Sequence, residues 1–236
     1  MLDTFAQFCQ TPDQRLVCSA EGSDNGDELV VRITHRLNPG ASAAALLSVR
    51  SVLGGAAEEL LGFFARFNGA TLFVDERSGT AAISIAPVEL WDSLTEQYQD
   101  LREDLELFGA DDEDDEALFE SDDPFLDDEF DDDALDLGED PALQAWMDSA
   151  VAFAEITDSG SLFLVATDGE GRGNIYFFDA DLGEPELFAT CFAEFLARIV
   201  YCDPPRLLQY LGDLVSYGDG STDTQWLPRR YVVGQR

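Results

Sequence analysis

The chain contains no lysine. All 13 of its basic residues are arginine, and they face 49 aspartates and glutamates. The formal charge of −36 repels nucleic acids and anionic membrane surfaces, which are themselves polyanions, and favours a basic partner. Histidine is almost absent too. The one histidine, His35, leaves little material for general acid–base or metal chemistry. The four cysteines, Cys9, Cys18, Cys191 and Cys202, match neither a zinc knuckle nor a C-x-x-C redox motif, so they read as reduced, structural thiols. The first residues, MLDTFAQFCQ, have neither a basic leader region nor a long apolar run, so no signal peptide is expected. No stretch approaches the roughly 20 apolar residues of a membrane span. The expectation is a soluble, cytoplasmic protein with no cofactor, no nucleic-acid partner and no membrane partner.

What is present suffices for a core. Of 236 residues, 45% are apolar, a normal globular fraction. RLVCSA and ELVVRITHRL flank a turn containing Asn25-Gly26, a hairpin signature. In the second strand Leu29, Val31, Ile33, His35 and Leu37 alternate with Val30, Arg32, Thr34 and Arg36. His35 thus falls in phase with the apolar face, where a satisfied, edge-packed imidazole is expected rather than a catalytic one.

Asn38-Pro39-Gly40 breaks the strand. Residues 42–53 then have helix composition, with Ser42 as N-cap. Gly54-Gly55 interrupts them before a second amphipathic helix, 56–67, which carries Leu60, Phe63, Phe64 and Phe67 on one side. Asn68-Gly69 suits a left-handed C-terminal cap. TLFVD and AAISIA follow as paired strands. From Pro87 a long helix over 88–108 repeats Trp91, Leu94, Tyr98, Leu101, Leu105 and Phe108 at steps of three and four.

Residues 110–140 are different in kind. They hold 18 acids and no base, with Phe119, Phe125, Leu126, Phe130, Leu135 and Leu137 scattered among them. Repulsion at this density opposes independent folding, so a disordered or loosely attached insert is expected. An acidic segment with interspersed aromatics also suits contact with a cationic partner. The candidate partner-binding residues are Asp111, Asp112, Asp114, Asp115, Phe119, Asp122, Asp123, Phe125, Asp127, Asp128, Phe130, Asp131 and Asp132. The plainer alternative is a solvated loop with no partner. An EF-hand is not expected, because the DDDALDLGED register lacks the D-x-D-x-D-G order and the bidentate final glutamate; charge alone leaves room for weak divalent-ion binding.

Beyond the insert, Asp140-Pro141 is a good helix start. VAFAEI, SLFLVAT and NIYFFDA read as an antiparallel meander. Gly169, Gly171 and Gly173 lack a lysine, carry Asp168 and Glu170, and precede a strand, so they form a hairpin loop and not a phosphate cradle. PELFATCFAEFLARIV is expected as one helix, with Phe188, Phe192, Phe195, Leu196 and Ile199 in a stripe. A short helix around RLLQYLGDLV and a tail holding Trp226 and Arg229-Arg230 complete the chain.

The unit GGAAEELLGFFARFNGATLFVD resembles the helix–NG–strand core of the SUKH superfamily, through Phe63, Phe64, Phe67, Asn68 and Gly69. The order FAEITDSGSLFLVAT, GNIYFFDAD, LFATCFAEFLARI, with Phe192, Phe195 and Leu196 at the helix positions, is similar to the family's later elements. The resemblance spans about 42–200. The Leu-Pro dipeptide that often precedes the NG helix is replaced by Gly54-Gly55. The superfamily includes fungal cell-wall-synthesis regulators and bacterial immunity proteins. It implies an α+β fold, with an antiparallel or mixed sheet packed against several helices. The expected organisation is an N-terminal hairpin (1–40), a first family segment (41–109), the acidic insert (110–140), a second family segment (141–202) and a C-terminal helix and tail (203–236). Phe63, Phe64, Phe67, Asn68, Gly69, Phe192, Phe195 and Leu196 are expected to be structural.

The resemblance further implies a non-catalytic protein-binding module, an immunity-type protein that neutralises a basic toxin, such as a nuclease, by binding it. A regulatory or scaffold protein of the same fold is the alternative. A hydrolase finds no support in one histidine and no nucleophile elbow.

Overall fold

The computed structural model describes residues 1–20, 28–109, 146–169, 171–183, 185–201 and 226–234. The Asn25-Gly26 turn, the acidic insert, the Asp140-Pro141 helix start and the RLLQYLGDLV segment lie outside them. Among the described residues, nine strands form a single antiparallel sheet in the order β8-β7-β6-β5-β4-β3-β2-β1-β9. In chain order the strands are β1 (Gln14–Ala20), β2 (Glu28–Leu37), β3 (Ala70–Asp75), β4 (Ile83–Ile85), β5 (Val151–Ile156), β6 (Leu162–Val165), β7 (Ile175–Phe178), β8 (Pro185–Ala189) and β9 (Trp226–Val233). The helices are α1 (Leu2–Gln10), α2 (Ala43–Leu53), α3 (Ala57–Arg66), α4 (Trp91–Gly109) and α5 (Phe192–Tyr201), with a further helical stretch over 146–149. The fold is α+β.

The period-two pattern of β2 sorts the two faces. Val31 and Ile33 are buried on the first, while Glu28, Val30, Arg32, Thr34 and Arg36 are all exposed on the second. α1, α3 and α5 cover the first face through a chain of aromatic rings. Phe5 meets Phe63 at 5.7 Å, Phe63 meets Phe192 at 5.1 Å, and Phe195 reaches Phe153 at 5.3 Å and Phe163 at 5.2 Å, mostly edge to face. Each such pair adds about 0.5–1.5 kcal/mol beyond its buried area. The later part of α4 lies on the second face, where Tyr98 packs on Phe178 at 5.1 Å. Trp146 stacks on Tyr176 on that same face, at 4.1 Å. Strands β5 to β7 are therefore covered on both sides, which explains their nearly continuous apolar runs.

Ser42 caps α2 by accepting from the Ala45 amide, and a 3-10 turn over Gly54–Ala56 separates α2 from α3. Residues 185–200 differ from the expected single helix. Residues 185–189 form strand β8 on the edge of the sheet, paired with β7, and the helix begins only at Phe192. Pro185 stands at the first strand position, where it removes no needed ladder donor. Glu194 marks the switch, accepting from both the amide and the hydroxyl of Thr190, at 2.8 and 2.7 Å. That carboxylate satisfies an amide just ahead of the helix, as in a capping box. Phe188 still joins the stripe from the strand side, 5.0 Å from Phe163 and 5.7 Å from Phe195. The tail likewise gains a strand, since β9 pairs along β1 from Ala20–Trp226 to Gln14–Val233.

Candidate partner-binding surface

The corner at Asn68-Gly69 does more than end α3. Gly69 has φ +90°, and a Cβ there would sit 2.4 Å from the Ile85 carbonyl oxygen, so both its conformation and its space demand glycine. The Asn68 side chain bridges forward. Its Oδ1 accepts from the Val88 amide at 3.0 Å, and its Nδ2 donates to Glu89 Oε2 at 2.8 Å. Its backbone donates to the Pro39 carbonyl and accepts from Asn38 Nδ2. One side chain therefore caps the 3-10 turn Val88–Leu90, which leads into α4, and orients a carboxylate. The hydrogen bond from Asn68 holds the Glu89 carboxyl below its ordinary range.

The turn that Asn68 caps forms one wall of a groove of about 370 Å³ between α2 and the start of α4. Val49 and Val52 line one side, Val88 and Trp91 the other, and Glu89 and Asp92 bring acid to it. Thr95 lies along it with its hydroxyl committed to the Ala152 amide. Val52 on that lining is 45% exposed, and Leu90 in the 3-10 turn beside it is 52% exposed. The sequence offered a weak sign of this surface. SAAALLSVRSVL has apolar residues on more of its circumference than one buried stripe needs. A smaller groove of about 280 Å³ lies between α1, α3 and α5, lined by Met1, Leu2, Gly62 and Phe192 with Glu58 and Glu59.

Among residues singled out from the sequence, Phe63, Phe64, Phe192, Phe195 and Leu196 are buried and Phe67 packs against the same cluster. The thirteen candidate binding residues between Asp111 and Asp132 lie outside the described residues.

His35 is bound on both nitrogens. Nδ1 accepts from the Phe73 amide at 3.2 Å, which places the proton on Nε2, 2.6 Å from Gln14 Oε1. Gln14 Nε2 in turn donates to the Phe8 and Thr11 carbonyls at the end of α1. The network has a backbone cause. Phe73 has φ +54° beside an irregularity in the β2–β3 register, so a strand amide lacks its ladder partner and the imidazole supplies an acceptor. Burial, with Phe8 and Phe73 rings at 4.7 and 5.0 Å, pushes the imidazole down to about 4. Burial pushes the Cys9 and Cys18 thiols up to about 12, far from nucleophilic. Among the described residues no group of three or more His, Cys, Asp or Glu could hold a metal ion, and no helix is long and apolar enough to cross a membrane. The arrangement offers recesses and charge for binding.

Compared with models of protein families, residues 40–198 match the SMI1 / KNR4 family (SUKH-1). Comparison with curated proteins gives no match.

Proposed function

This chain belongs to the SMI1 / KNR4 family (SUKH-1), and from that premise we propose that it is a non-catalytic module that neutralises a basic toxin by binding it. The observation that carries this reading is the apolar groove between α2 and α4, with Glu89 and Asp92 along it. A recess of that kind accepts an apolar side chain flanked by arginine or lysine. Desolvated apolar contact supplies the affinity, and the paired charges set register and exclude wrong partners. Nucleases present cationic surfaces because they hold phosphates, so a chain of charge −36 meets them quickly through long-range steering. The carboxylates of 110–140 add to that long-range field.

The test is calorimetric and kinetic binding of the full chain to the toxin encoded beside its gene. Val52 and Asp92 are exposed, so V52R and D92R leave the fold intact while turning the groove cationic. Each is expected to weaken binding by tenfold or more, about 1.4 kcal/mol. The association rate should fall at least tenfold from low to high salt. Tight binding indifferent to both substitutions would remove the groove as the site. A partner bound there that is not a toxin would keep the binding module and remove the immunity role.

A further inference from the structure

Over its β3-β2-β1-β9 end the second face of the sheet carries arginines, with Arg32 and Arg36 exposed beside buried Val17, Ser19 and Val74. Arg15 lies opposite Arg32 in the β1–β2 register, and Arg36 follows on the same face. From β9, Arg230 is placed on this face by its pairing with Val17, and Arg229 donates to Ser19 Oγ there. Glu28 answers only Arg230, at 3.6 Å. Arg15, Arg32 and Arg36 form no ion pair with any described residue, although other arginines, such as Arg66, Arg102 and Arg198, do. The Arg15 Nε is buried without a hydrogen-bond partner. Like charges directly opposite each other in a sheet are destabilising. Unpaired arginines gathered on one face of a chain with 49 acids and 13 bases therefore point to a missing anion. Val30, 52% exposed among them, adds an apolar contact.

We propose that this arginine face is the docking surface for the carboxylate-rich segment 110–140 of the same chain. The chemistry is complementary. The segment brings 18 acids and no base, and its Phe119, Phe125 and Phe130 suit both Val30 and the faces of arginine guanidinium groups. The tethers are placed for it. The segment leaves from the end of α4 and returns at Trp146, and both Tyr98 of α4 and Trp146 pack on this second face. From β7, where Trp146 sits, to β1 is six strand spacings, about 29 Å. Eighteen residues, half of the stretch between 109 and 146, extend to about 60 Å, so the chain reaches the face and returns. Tethering holds the acids at an effective concentration that a foreign acidic protein must exceed. This inference does not depend on the identity of any partner.

The absence of lysine supplies the test. In the full chain R32K or R36K introduces the only side-chain amine, keeping the charge, and a zero-length carbodiimide joins an amine to a carboxylate that touches it. Mass spectrometry of the monomer is expected to find cross-links from positions 32 and 36 to carboxylates within 111–140. The yield should fall several-fold between 0.01 M and 1 M salt, as the screening length drops from about 30 to about 3 Å. R50K is the control, because Arg50 lies on α2 beside Glu58; its cross-links should fall on Glu58. Mixing isotopically heavy and light chains separates links within a chain from links between chains. Cross-links from 32 and 36 that avoid 111–140, or join only different chains, or appear equally in R50K, would overturn the proposal.

Discussion

His35 sits in a polar chain that ties the end of α1 through Gln14 to β2 and the strained Phe73 amide of β3. The imidazole works here as a neutral acceptor, and protonation would remove the acceptor at Nδ1. Because its folded value lies near 4, below the ordinary 6.5, the unfolded chain binds the extra proton between those values. Stability is therefore fully present above about pH 6.5 and is lost as pH falls toward 4, by about 3 kcal/mol from this residue. Denaturant unfolding from pH 7 to 4.5 should show a steeper loss in the natural chain than in H35Q, which cannot titrate; equal slopes would refute the assignment. Gly69 makes a separate demand. G69V would face the Ile85 carbonyl at 2.4 Å from its Cβ and an unfavourable φ of +90°, so a loss of about 2–4 kcal/mol is expected. An unchanged unfolding midpoint would exclude a strict need for glycine there.

The segment from Pro185 to Tyr201 shows how an element escapes periodicity. Phe188, Phe192, Phe195 and Leu196 have helical spacing, yet Phe188 reaches the same cluster from a strand. The open edge of β7 offers backbone partners that a longer helix would forgo. Glu194 then starts α5 by holding Thr190, and these bonds, with Arg198, pull its carboxyl down to about 2. E194A should destabilise the protein by about 1 kcal/mol through loss of that cap, read as a shifted denaturant midpoint, whereas E194Q should retain part of it. If E194A matches the natural chain, the cap is not what sets the strand–helix switch. β9 escaped for another reason. WLPRRYVV places Pro228 and two arginines where alternation would be sought, and only pairing with β1 across more than two hundred residues makes it a strand.

At the scale of the molecule, charge and shape divide the work. On the proposed reading the net charge of −36 selects what approaches, and the groove of about 370 Å³ selects what fits. Raising salt should slow association more than it speeds dissociation, since steering acts before contact. A stopped-flow series in which salt alters only the dissociation rate would contradict this division.

Residues alone determined the helix–Asn-Gly–strand unit, the β1–β2 hairpin, the β5–β7 meander and the family, because each is written in local periodicity and turn chemistry. His35 was also placed on the correct face by alternation. The groove was not legible, since α2 and α4 are separated by more than thirty residues of α3, β3 and β4, and their meeting is set by tertiary packing, with the Asn68 bridge to Val88 and Glu89 holding the α4 side. The arginine face was hidden for the same reason. Arg15, Arg32, Arg36 and Arg230 become neighbours only through antiparallel register. Sequence spacing reports what one element presents; the sheet alone decides which charges are brought together.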